Sequence, residues 1–224
     1  LRRLGRAMQV EKNWLSGWNS AMALYEDPLA GKVARVTSAE VVHEAREAAI
    51  ALQPLLGQIP DPIMRADLGF ATLQIVFACE KVENTRSVQA LFLRIADQTI
   101  VNADAIQQLS RSIEQTSSLR AQLPGLVQEF ERRWMRSARR SSIQFNLDRY
   151  AGLIAQFDRV LAWLNQQFDL LQANLTIIGI SSYDPAGYAV LHEATYYWIK
   201  ELEAIIGYDA LPSDIKDYLR EAGI

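Results

Sequence analysis

The sequence is poor in the side chains that do most chemistry: 224 residues hold two histidines and one cysteine. The lone thiol, Cys79, excludes an internal disulfide and leaves the redox compartment open. It lies beside Phe77 and Ala78 with no histidine near it in sequence, so it is read as a buried, inert thiol. A zinc-binding helix needs a second histidine four residues after the first. Here "VVHEARE" puts Glu47 at that distance from His43, and "VLHEATY" puts Tyr196 at that distance from His192. Both histidines are expected to be partly buried, and no metal or cofactor is implied. The glycines are scattered singly, which excludes a glycine-rich phosphate loop. No long hydrophobic run occurs either. The stretch Leu73–Cys79 is too short to cross a bilayer, and "LRRLGRAMQV" lacks the continuous apolar segment of a signal peptide. A net charge of −3 gives no general attraction to nucleic acid or an anionic membrane. These features favour a soluble, cytoplasmic chain. The absence of an initial methionine suggests a piece of something longer.

Half the residues are apolar, enough for a sizeable core, and they recur at helical spacing. Trp14, Trp18, Met22 and Tyr25 line one face of a first helix, which "EDPLAG" stops. Thr37 and Glu40 in "TSAE" predict a capping box for a second helix, with Val41, Ala45, Ala48, Ala49 and Leu52 as its buried stripe. Asp61 followed by Pro62 opens a third, predicted over 63–82. It is apolar on most sides (Leu68, Phe70, Leu73, Ile75, Val76, Phe77) and is therefore placed at the centre of the bundle. Further helices are predicted over 88–96, 105–119, 124–140, 145–173 and 188–206, with a short last one capped by Ser213. The fold class is all-α, a bundle of about eight or nine helices. Thr176–Ile180 is read as an edge strand, a hinge or a ligand loop. The bundle is expected over 1–173, with 174–224 a helical extension packed on it as part of one domain.

Six arginines crowd "EFERRWMRSARRSSIQFNLDRY", residues 129–150. On a helical wheel Leu123, Val127, Phe130, Trp134 and Ala138 share one side. Arg132, Arg136, Arg139 and Arg140 share the other, with Arg133 at the margin. Glu129 stands three before Arg132 and four before Arg133, spacing that favours ion pairs. The expectation is a solvated basic face over an apolar one, or a docking and anion-binding face made by those four arginines. No aromatic residue stands among them to stack a base, so nucleic acid is not expected as a partner. Tyr196, Tyr197 and Trp198 form a candidate sugar-stacking cluster, with core packing as the competing reading. "NLT" at Asn174 matches a glycosylation acceptor, relevant only to a secreted eukaryotic protein.

Three stretches, in order, resemble the helical region after the catalytic barrel in bacterial hexosaminidase-like enzymes of glycoside hydrolase family 20. "LRRLGRAMQVEKNWLSGWNSAMALYEDP" is similar through Leu4, Gly5, Arg6, Asn19 and Ser20. "DPIMRADLGFATLQIVFAC" is similar in its acid–proline start and apolar run, and the arginine stretch through Glu131, Trp134, Arg136 and Arg139. Ser141, Ser142 and Ile143 depart from the family's glycine-rich turn. The resemblance covers roughly residues 1 to 165, and nothing from Asn174 onward takes part in it. It implies a non-catalytic helical domain that braces the enzyme's own barrel or a subunit interface. The catalytic Asp–Glu pair would lie elsewhere, with carbohydrate as a partner only through the parent enzyme. The alternative is a stand-alone helical protein-interaction or scaffolding module.

Overall fold

The computed structural model describes residues 20–31, 34, 37–137, 143–173 and 183. Every element among them is helical: α1 (Ser20–Tyr25), α2 (Ala39–Leu52), a 3₁₀ turn (Gln53–Gln58), α3 (Pro62–Ala96), α4 (Asn102–Ser137) and α5 (Gln144–Gln172). That is five α-helices, so the eight or nine expected are not all within the described residues. The predicted helices over 188–206 and at Ser213, the segment 174–182, and Trp14, Trp18, His192 and Tyr196–Trp198 lie outside them.

The long helices follow one another up, down and up, as their shared side chains require. One core layer takes Phe70 and Phe77 from α3, Leu119, Leu123 and Leu126 from α4, and Tyr150, Leu153 and Phe157 from α5. The next takes Val88, Leu91 and Phe92, then Ala105 and Leu109, then Val160, Leu164 and Leu171. Moving forward along α3 and α5 means moving backward along α4. Phe77 and Phe157 sit 6.2 Å apart between ring centres and are almost fully buried. Each contributes roughly 1.5–3 kcal/mol by leaving water. α2 packs on the outer side of α3 through small side chains, Ala45 and Ala49 against Ala78 and Cys79, and Val42 rather than Val41 is the valine that α2 buries. α3 therefore touches α1, α2, α4 and the 3₁₀ turn. Among the described residues it is also the one helix long and apolar enough, by length and composition, to cross a membrane.

Two predicted breaks are absent. The helices expected over 63–82 and 88–96 are one, because the polar residues between them have partners inside the fold. Lys81 and Thr85 meet the chain between α1 and α2, and Asn84 meets α4. The helices expected over 105–119 and 124–140 are also one. Pro124 forfeits a hydrogen bond and costs about 3 kcal/mol in a helix interior, but Leu119, Leu123 and Leu126 hold the core seam on both sides of it. Pro124 itself is exposed.

The helix ends are partly as predicted. Asp61 caps α3, accepting from Ile63 N at 2.8 Å and Met64 N at 3.3 Å, with Pro62 in the first turn. α2 is capped by Ser38, whose hydroxyl accepts from Val41 N at 3.3 Å, while the buried Thr37 hydroxyl has no partner among the described residues. The cap has moved one residue because the Thr37 carbonyl is held by the Arg86 guanidinium from α3. α3 ends in a six-residue reverse wrap: Thr99 N donates to Arg94 O at 2.9 Å, and Gln98 N donates to Ile95 O at 3.1 Å. Gln98 takes φ 55°, a place usually given to glycine.

Candidate functional site

The arginine stretch is a clamp between helices. Arg132 grips Glu129 with two bonds of 2.7 Å each, and Arg133 also reaches Glu129, at 2.6 Å from its Nε. These contacts, Arg132's first, hold the Glu129 carboxyl down near pKa 2. Arg133 and Arg136 converge on Asp67 of α3, at 2.6 and 2.9 Å. The Arg133 side chain is only 13% exposed, and its guanidinium lies 5.2 Å from the centre of the Phe70 ring. The residue placed at the margin is thus the one most built in. Arg132 is open to solvent. Arg139 and Arg140 lie outside the described residues. Val127, Phe130 and Leu123 pack inward as expected, and Trp134 is half-buried against Phe130, 5.6 Å between ring centres. The carboxylates that pair with Arg132, Arg133 and Arg136 come from the protein itself.

A second cluster has no counterpart in the sequence reading. The connector after α1, "EDPLAG", is buried, with Asp27 at 2% and Leu29 at 1% exposure. A buried loop must find partners for its backbone, and one stripe of α3 supplies them. The Lys81 ammonium donates to Leu24 O at 3.1 Å and to Glu26 O. The Thr85 hydroxyl reaches Pro28 O at 2.6 Å, Gln89 Nε2 donates to Leu29 O at 2.8 Å, and Arg86 Nε donates to Ala34 O at 2.8 Å. Asp27 closes its own turn, with Oδ1 accepting from Leu29 N and Ala30 N at 2.8 Å each, while Oδ2 accepts from the Tyr183 hydroxyl at 3.0 Å. Burial pulls the Lys81 pKa down to about 8, against the opposing pull of the Glu26 and Asp27 carboxylates.

Where α2, α3 and α4 meet, a cleft of ≈ 390 Å³ opens, lined by Arg46, Glu80, Glu83, Asn84, Ser87, Gln115, Ser118, Leu119 and Gln122. Arg46 bridges to Glu80 at 3.5 Å. Asn84 forms part of the floor, 6% exposed, with Nδ2 donating to Thr116 Oγ1 at 2.9 Å.

The described residues contain no group of three or more His, Cys, Asp or Glu side chains able to hold a metal ion. His43 is exposed on α2 rather than partly buried, since the face of α2 that meets α3 is filled by alanines. Cys79 is buried as expected, and that burial pushes its thiol up to about 12. No family model, curated protein or solved structure matches this chain. Sequence reasoning missed Asp67, Lys81 and Asn84. The only signal for the last two was their polarity within an otherwise apolar helix.

Proposed function

We propose that the chain is a non-catalytic helical module that acts by docking on another protein surface. The observation that carries this reading is a group of large apolar side chains left in solvent where α2 turns into α3. Ile50, Leu55, Ile63 and Met64 are 37%, 48%, 58% and 50% exposed. The 3₁₀ turn that bears Leu55 packs on both α2 and α3, so these residues belong to one corner of the bundle. Apolar residues gathered at one place, rather than scattered singly, suit a contact with a partner. The partner is the catalytic domain of the parent polypeptide, and the narrower form of the proposal makes that domain a hexosaminidase-like barrel. This narrower form rests on the sequence resemblance alone.

Hydrogen–deuterium exchange on the isolated chain and on the full parent polypeptide tests the reading. The expected result is slower exchange over residues 53–64 in the parent. Equal exchange in both would overturn the docking corner. A parent reading frame without a barrel-sized segment ahead of Leu1 would remove the hexosaminidase form and leave the module.

A further inference from the structure

Tyr183 lies beyond the end of α5 at Gln172, yet it is buried, 8% exposed, in the core layer of Leu29, Val88, Phe92 and Leu164. Its ring centre stands 5.7 Å from that of Trp163, which in turn lies 4.9 Å from Phe92. Its hydroxyl meets Asp27 across 156 positions of sequence, donating to Oδ2 at 3.0 Å. A ring that fills a core and a polar tip that finds a buried partner hold a tyrosine in one place. Burial first, and then the Asp27 carboxylate, raise the phenol pKa well above its ordinary value against the pull of Arg159. The hydroxyl therefore stays a donor at any physiological pH.

Asp27 is the other half of the contact. Its two oxygens face different ways: Oδ1 accepts from Leu29 N and Ala30 N, and Oδ2 accepts from Tyr183. The stripe of α3 grips this part of the chain through carbonyl oxygens, those of Leu24, Glu26, Pro28 and Leu29. Thus α3 fixes the carbonyl side of the turn, and Asp27 fixes two amides on the other side. The carboxylate is 2% exposed, and a buried oxygen deprived of its donor costs free energy. Turning Oδ2 toward water relieves that cost, but it takes Oδ1 away from the amides.

We propose that Tyr183 is a latch between the chain beyond α5 and the buried connector after α1, with the Asp27 carboxylate as its relay. Drawing residue 183 off the bundle withdraws the donor from Oδ2, lets the carboxylate turn, and loosens the Leu29 and Ala30 amides. Disturbing Asp27 releases Tyr183 in return, because coupling between two sites is reciprocal. The latch makes no use of the apolar corner where α2 turns into α3, so it does not depend on the docking reading.

Amide exchange followed residue by residue by NMR tests the latch in wild type, Tyr183→Phe and Leu123→Ala. Tyr183→Phe keeps the ring and removes the hydroxyl. It is expected to speed exchange at Leu29 and Ala30 by about tenfold or more, the effect of losing one hydrogen bond to a charged group. Leu123→Ala opens a cavity in the neighbouring core layer and leaves the latch in place, so those two amides are expected to keep their wild-type rates. Asp27→Asn keeps an oxygen for the turn and replaces the oxygen that accepts from the hydroxyl by a donor. It is expected to speed chymotryptic cleavage after Tyr183 by a similar factor. Unchanged exchange at Leu29 and Ala30 in Tyr183→Phe would overturn the proposal. So would an equal acceleration in Leu123→Ala, or cleavage of Asp27→Asn at the wild-type rate. Should Asp27→Asn fail to fold, Tyr183→Phe alone decides.

Discussion

Replacing Lys81 by methionine removes the ammonium and keeps a stem of similar length. In the wild type that ammonium is 2% exposed and donates to two backbone carbonyls, Leu24 O and Glu26 O. A hydrogen bond from a charged donor contributes about 1.5–3 kcal/mol, and both would be lost. The Glu26 and Asp27 carboxylates would also lose the cation beside them. Against this, methionine avoids the cost of burying a charge. Removing one partner of a buried pair costs about 3–5 kcal/mol in general, so a loss in that range is expected at neutral pH. The pH dependence gives a sharper signature. Lys81 has its folded-state pKa depressed, from the ordinary 10.5 to about 8. Between those values the unfolded chain holds the proton more tightly than the folded one. Wild-type stability therefore gains from Lys81 as pH rises through this window, and the penalty for charging it is complete below about 8. The methionine variant lacks that gain, so the gap between the two proteins should widen by about 3 kcal/mol from neutral pH to the top of the window. Urea denaturation followed by helical circular dichroism measures both quantities. A variant within about 1 kcal/mol of wild type at neutral pH, or a gap that does not change with pH, would refute the argument that Lys81 anchors the buried connector as a strap across α3.

Gly31→Ala should cost about 1–3 kcal/mol, since a Cβ there would meet Asp27 O at 2.7 Å and Glu26 Oε2 at 2.8 Å. Chemical denaturation reads that loss, and a neutral result would mean the buried connector is looser than described. Gln98→Gly should stabilise by about 1 kcal/mol, because the residue sits at φ 55° in the reverse wrap after α3. Loss of stability there would argue against that cap. Phe157→Ala should cost about 3–5 kcal/mol, while Arg132→Gln should leave the melting temperature unchanged, since Arg132 stands in solvent and, among the described residues, pairs with Glu129 of its own helix. Thermal melts in which the arginine variant loses more than the phenylalanine variant would reverse the assignment of faces.

Much of the architecture was legible because it is periodic or local. α5 follows its apolar pattern almost to the residue, Asp61 and Pro62 mark the start of α3, and the Glu129 pairs follow from three- and four-residue spacing. What was not legible depends on distance along the chain. Asp67 meets Arg133 and Arg136 across 66 and 69 residues, and no spacing rule reaches that far. The same limit misplaced the ends of helices. "EKVENTRSVQ", residues 80–89, looks like a surface loop between two apolar segments. Whether such a stretch breaks a helix is decided by partners that only the fold supplies. Pro124 opens the helix predicted over 124–140, yet it lies inside α4, where the core seam on both sides of it overrides the local signal.

That same decad explains how one helix serves two unlike purposes. Its residues divide by direction. Lys81, Thr85 and Gln89 face the α1 connector, whereas Glu80, Glu83, Asn84 and Ser87 face the cleft. The first set has partners for its polar atoms and fixes a buried loop, so its polarity is accounted for by the fold. The second set is not accounted for in that way. Among the described residues nothing donates to Asn84 Oδ1, and an apolar residue would fill its place with less loss. Lys81 and Asn84 stand only three residues apart but bond to different elements, so a double-mutant cycle of Lys81→Met and Asn84→Leu is expected to give a coupling energy below about 0.5 kcal/mol. A large coupling energy between them would mean that strap and cleft are one network, and the division argued from direction would fall.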